Sequence, residues 1–269
     1  MSFFWLNQVK KDFLVDFSYK ISFFGQFFGI FLTIISFFFI SEIFVNSKSV
    51  HLEEFNYDYF IFATIGIAIL DIVITIMRSL TASLREAQSF GYVEMFFISA
   101  ISPIYVFLCS SIYPFIKCSF RFIIYILFLE LFSNHTFLLP SVLISFLLIF
   151  LMVIPFLALS FLALSFVLYF KQADPINFFI NIVISIFSGI IYPVSVLPEI
   201  MQSISNFIPL TNQLKSARHV LINNSLDGYI FSDLFYMHIL FSLIFLFACI
   251  SVFKISISIV KKRGTISTY

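Results

Sequence analysis

Long apolar blocks dominate this chain, and the polar positions between them set its plan. The blocks lie over residues 21–44, 59–77, 103–132, 138–170, 175–192 and 234–260. At about 1.5 Å per residue each is long enough, or nearly so, to cross the roughly 30 Å hydrocarbon core of a bilayer. The block at 138–170 exceeds it and is expected to tilt or to project. Within the blocks apolar residues are continuous and do not alternate, which excludes a transmembrane β-barrel. Residues 2–20 follow a different pattern. Trp5, Leu6, Val9, Phe13, Leu14 and Phe17 mark one side, and Lys10, Lys11, Asp12, Asp16 and Lys20 the other. That predicts an amphipathic helix lying in the membrane interface. The fold class is an all-α polytopic membrane protein with six transmembrane helices.

Two stretches break this rhythm. The first is residues 79–102, SLTASLREAQSFGYVEMFFISAIS, too polar to span and too apolar to be free. It reads either as a short amphipathic helix that docks a soluble partner or as an ordinary interfacial loop. The second runs from Phe187 to Leu221. There an apolar span meets Gly189, Pro193 and Pro198 and cannot continue as a regular helix. An amphipathic run follows, broken again at Pro209, and then a short basic segment with Lys215 and Arg218. Broken backbone at membrane depth survives only where protein buries it or water reaches it. The layout predicts a re-entrant segment over residues 193–221, between spans five and six.

Composition agrees with the pattern. The chain of 269 residues is 61% hydrophobic and 11% charged, with a mean hydropathy of +1.08. A net charge of +1 gives no reason to expect nucleic acid as a partner. Cys109, Cys118 and Cys249 fall in or beside apolar runs and read as small buried hydrophobes. The 42 phenylalanines read mainly as replacements for leucine on lipid faces. No small-residue cleavage site follows the first apolar run, so no cleavable signal peptide is expected.

The basic residues set the orientation. With the N-terminus inside, Lys10, Lys11, Lys20, Arg78, Arg85 and Lys117 are internal. So are Arg121, Lys171, Lys254, Lys261, Lys262 and Arg263. Only Lys48, Lys215 and Arg218 are left outside. Both termini are expected in the cytoplasm of a cell whose inner (plasma) membrane holds the chain. The re-entrant segment then faces the extracytoplasmic side.

Three charges fall within the spans: Asp71, Lys117 and Arg121. Lys117 and Arg121 are four apart and share a helix face. Charges at this depth are costly and are paired or face water. An interhelical ion pair, with Asp71 neutralising one cation, is preferred over a conduit lining that meets an anionic substrate or lipid head. His51, His135, His219 and His238 show no ligand spacing, so no metal site is expected. No G-x-S-x-G motif and no Ser-His-Asp set is visible.

The chain resembles the permease subunit of the type-2 ABC exporters. Arg85-Glu86, Gly91, Val93, Glu94 and Ser102-Pro103 are similar to that family's coupling segment. Phe187-Ser188-Gly189, Tyr192-Pro193, Leu197-Pro198, Pro209-Leu210-Thr211 and Arg218 are similar to its outer re-entrant block. The resemblance covers nearly the whole chain. It implies that Arg85, Glu86, Gly91 and Glu94 contact a separate ATPase subunit. It also implies that Gly189, Tyr192, Pro193, Pro198, Pro209 and Arg218 form a gate. The chain itself is expected to be a transport subunit and not an enzyme. None of its glycines stands in a G-x-x-x-x-G-K-S/T phosphate cradle, so ATP would be bound by the partner and no cofactor by this chain. Six spans are few for a full export path, which points to pairing with a second permease copy, most simply as a homodimer. The expected substrate is a polysaccharide or lipid-linked glycan. A drug or hydrophobic compound is the alternative, and a membrane-embedded lipid-modifying enzyme a more distant one.

Overall fold

The computed structural model describes residues 4–45, 59–133, 135–170, 174–223 and 233–263. The acidic loop expected at 46–58 lies outside them, as do most of the turn expected at 171–174 and of the polar loop expected at 223–233. The chain forms α1 (Phe4–Ser18), α2 (Lys20–Val45), α3 (Tyr59–Ser89), α4 (Val93–Ile98) and α5 (Pro103–Phe132). These are followed by α6 (Leu139–Phe170), α7 (Asp174–Phe187), α8 (Glu199–Phe207), α9 (Pro209–Asn223) and α10 (Asp233–Arg263). A single 3₁₀ turn, Val194–Val196, lies between α7 and α8. Among the described residues there is no strand. Among the described residues, four helices are long and apolar enough to cross a membrane, over Lys20–Ile43, Tyr59–Ser89, Leu139–Phe170 and Ile239–Lys262. This is an all-α membrane protein.

Burial ranks these helices. The apolar window of α3 is 72% buried, against 11% for the α2 span and 17% for the α10 span. So α3 is the central post, and α2 and α10 leave most of their apolar surface uncovered by the rest of the chain. α3 is flanked by α5 and α6, with α2, α7 and α9 also in contact. Its first half joins one core cluster: Ile65, Ile69, Ile72 and Ile76 meet Phe122 and Leu129 of α5, Phe156 of α6 and Leu214 of α9. Its second half joins another. Leu80, Leu84 and Ala87 meet Val93 and Phe97 of α4, Phe107 of α5, Phe161 of α6 and Phe253 of α10. The rings of Phe107 and Phe253 lie 5.7 Å apart, and those of Phe161 and Phe253 5.5 Å. Some of the phenylalanines therefore build core, while others, such as Phe24, Phe39 and Phe247, are exposed.

The helix ends differ from the sequence expectation in two informative places. The second span was expected over 59–77, but α3 continues to Ser89. At about 1.5 Å per residue its 31 residues reach roughly 46 Å, beyond a roughly 30 Å core. The fall in hydropathy after Met77 marks a change of surroundings and not a helix end. The helix stops at Gly91, whose φ is +74. Gly91 N–H donates to the Gln88 carbonyl and Tyr92 N–H to the Ala87 carbonyl. This pair of bonds is a Schellman cap. The fifth span was expected over 175–192, but α7 ends at Phe187. Gly189, with φ +68, turns the chain there.

The α5–α6 connection is short and internally tied. Ser133 N–H and Oγ both donate to the Leu129 carbonyl, and Phe137 N–H donates to Glu130 Oε1 at 3.1 Å.

Candidate functional site

The residues singled out in the sequence gather at three places along α3. At its Tyr59 end lies the broken segment. Once Gly189 and the prolines stop the α7 ladder, carbonyls of that turn lose their helical donors. Arg218, on α9, supplies replacements. Its Nη1 donates to the Gly189 carbonyl at 2.8 Å, and its Nη2 to the carbonyls of Ile190 at 2.6 Å and Phe62 at 2.9 Å. The guanidinium stacks over the Phe62 ring, 3.5 Å from its centre. Arg218 is only 6% exposed, so this is a fixed joint between α3, α9 and the break.

Gly66 makes the joint possible. A Cβ there would overlap the Ile190 carbonyl oxygen and the Arg218 guanidinium. A Cβ at Gly189 would sit 2.7 Å from Val194 Cγ2. Tyr192 Oη donates to the Ile186 carbonyl at 2.6 Å, folding the aromatic back over the end of α7. Pro193 precedes the 3₁₀ turn and Pro198 is the residue before α8. Pro209 opens α9, where a missing N–H costs nothing. Ser205 Oγ donates to the Phe187 carbonyl at 2.6 Å, tying α8 to the end of α7. α9 buries Leu210, Leu214, Ala217 and Leu221, spaced as one helical face.

At the Ser89 end of α3 lies the second group. Arg85 and Glu86 stand on its last turns, and Gly91 makes the cap. In α4, Val93 and Phe97 are buried while Glu94, Met95 and Ile98 face outward. Lys261 of α10 donates to the Phe97 carbonyl at 3.1 Å. On the other side, Lys11 of α1 meets Glu86 at 3.1 Å and Asp12 at 3.5 Å. Burial works against the Lys11 charge, but the hydrogen bond that Lys11 donates to Glu86 and the neighbouring carboxylate charges prevail and hold its pKa above the usual lysine value. Burial pushes the Asp12 carboxyl up, with Lys11 opposing. The turn carrying Glu94 is thus braced by helices near both chain ends.

Between these two groups lie the intramembrane charges. Asp71 Oδ2 sits 2.9 Å from Arg121 Nε, the interhelical pair expected from the sequence. Arg121 Nη2 also donates to Thr75 Oγ1 at 2.6 Å. Lys117 takes a different partner, Asp16 of α1, whose Oδ2 also accepts from Tyr113 Oη at 2.7 Å. Among the described residues, no three His, Cys, Asp or Glu side chains converge as metal ligands. Cys109, Cys118 and Cys249 are buried and unbridged.

Sequence reasoning missed Gly66, Asp16, Lys11 and Lys261. A lone glycine in an apolar helix leaves no pattern. The α1 charges read simply as a polar face, with nothing to say which of them would pair. No family model matches the chain, and neither does any curated protein.

Proposed function

We propose that this chain is the transmembrane permease subunit of an ATP-driven ABC exporter that works with a separate ATPase subunit. The observation that carries this reading is the construction of α4. It buries Val93 and Phe97 in the core while holding Glu94, Met95 and Ile98 out, with Met95 70% and Ile98 79% exposed. Apolar anchors beside a charge suit a groove on a soluble partner. On this reading α3, at 31 residues, is long enough to hold α4 beyond a roughly 30 Å hydrocarbon core, where such a partner would have access.

In this reading both termini and α4 face the cytoplasm, and six segments cross the inner membrane. Arg85, Glu86, Gly91 and Glu94 form the coupling turn. ATP-driven closure of the partner pushes it, and the push passes through the Phe107–Phe161–Phe253 cluster to α5, α6 and α10. The segment from Gly189 through Arg218 is the outer gate, which Arg218 keeps as a rigid unit. Two copies pair to enclose the path, and the exported compound is a polysaccharide or lipid-linked glycan.

The test is Glu94→Arg in the intact complex. Pull-down of the tagged permease should bring the ATPase with the wild type. With the variant, recovery should fall at least tenfold, with membrane level of the permease unchanged. A charge reversal at a partner contact costs on the order of 1.4 kcal/mol or more, which is a factor of ten. Equal recovery of the ATPase with both chains would remove α4 as the coupling element.

A further inference from the structure

A second polar site lies midway along the fold. The second half of α3 carries Thr75, Arg78, Ser79, Ala82, Ser83 and Glu86. Those positions recur at i, i+3, i+4, i+7, i+8 and i+11, one stripe on a helix. Nothing about a lipid face or a packed core calls for such a stripe. It lines a cavity of about 380 Å³ between α3, α1 and α5. That is within the size range of small-ligand pockets. From α1 come Gln8, Asp12 and Asp16, and from α5 come Ser110, Tyr113, Lys117 and Arg121. Pro114 also borders it, and has no N–H for the Ser110 carbonyl to accept.

The charges in this cleft are not equivalent. Asp16 is held by Lys117 and Tyr113, Glu86 by Lys11, and Arg121 by Asp71 and Thr75. Arg78 lines the same cavity, is exposed, and has no ion pair or side-chain hydrogen bond among the described residues. It stands 19 positions after Tyr59 on α3, so roughly 28 Å along the helix. With Tyr59 taken as the far edge of the span, as the hydropathy pattern sets it, that distance reaches the edge of a roughly 30 Å hydrocarbon core, at headgroup depth. α1, amphipathic and lying over the cleft, belongs to the same layer.

We infer that the cleft between α1, α3 and α5 binds a phosphate-bearing headgroup, with Arg78 as its principal cation and the Lys117–Asp16 pair beside it. Guanidinium suits phosphate because its planar fork gives two parallel donors. The small side chains Ser79, Ala82 and Ser83 leave room for the headgroup, while Asp12 on the same cleft is held by Lys11 and Gln8. This site stands independently of the transport reading.

The test uses the purified full chain in maltoside micelles, with bound lipid counted by native mass spectrometry. The probes are short-chain phosphatidylglycerol, diacylglycerol with the same chains, and glycerol phosphate. Trp5 of α1, the only tryptophan, gives a second readout through its emission. Phosphatidylglycerol should bind saturably. Arg78→Gln should weaken it about tenfold or more, as expected for one charge-assisted contact. Arg78→Lys should recover most of that loss, and Lys262→Gln on α10 should bind as the wild type does. Saturation by glycerol phosphate with the same dependence on Arg78 would identify a soluble phosphate as the occupant. Failure of glycerol phosphate to bind, with phosphatidylglycerol binding, would identify a lipid. The inference is overturned if diacylglycerol binds equally well, if Arg78→Gln binds as the wild type does, or if no phosphate compound is retained.

Discussion

Arg218→Met should give a chain that reaches the membrane but melts far below the wild type. The substitution keeps a long apolar stem and removes every donor. Three carbonyl contacts, to Gly189, Ile190 and Phe62, are then left without their partner. Each buried carbonyl stripped of its donor costs about 1–3 kcal/mol. Phe62 retains its helical bond, so the Gly189 and Ile190 carbonyls carry most of the effect. The expected loss is about 3 kcal/mol, on the order of a 10 °C fall in Tm for a chain of this size. Some of it is offset because a buried cation no longer has to be desolvated. Arg218→Lys should fall between, since one ammonium cannot bridge carbonyls on two sides of the joint. Thermal melts of the purified protein in detergent check this. A wild-type Tm for Arg218→Met would mean that the break at Gly189 holds itself together.

Gly66→Ala should destabilise the same joint from the other side. In an isolated helix the change favours folding by about 1 kcal/mol, because alanine has the better helix propensity. Here the added Cβ overlaps the Ile190 carbonyl oxygen and the Arg218 guanidinium. The first of these is backbone and cannot rotate away, so the segment after α7 must shift. Overpacking of this kind costs about 1–3 kcal/mol, which outweighs the propensity gain. Gly29→Ala in α2 is the internal control, since nothing lies within 4 Å of the added carbon. It should leave Tm unchanged or raise it slightly. Because Gly66 and Arg218 touch, Gly66→Ala combined with Arg218→Met should cost less than the sum of the two. A Gly66→Ala protein as stable as Gly29→Ala would contradict the close approach.

What could be read from the sequence depended on how local the signal was. The break after Phe187 was legible because Gly189, Pro193 and Pro198 forbid a regular helix whatever surrounds them. The pairing of Asp71 with a cation on α5 was legible because membrane depth leaves few alternatives. Arg218 was picked out by its place in a motif, yet its role as a donor to orphaned carbonyls needed the fold. Lys117 was legible as a charge requiring a partner, but Asp16 lies about a hundred positions away on a helix whose pattern says only that it is interfacial. The extension of α3 past Met77 was missed for a different reason. Its polar stripe from Thr75 to Glu86 lowers hydropathy while preserving helical period, and hydropathy alone reads that as an end. The period was in the sequence and would have found both the longer helix and the cleft it lines.

The central claim places α4 and the broken segment on opposite faces of the membrane, joined through α3. Single-cysteine variants at Ser99, just after α4, and at Ser203, on α8, test it directly, since both positions are exposed. The native Cys109, Cys118 and Cys249 are buried and give little background. With a membrane-impermeant maleimide, Ser203→Cys should label in intact cells and Ser99→Cys only in inverted vesicles. Labelling of both positions from the same side would contradict the account.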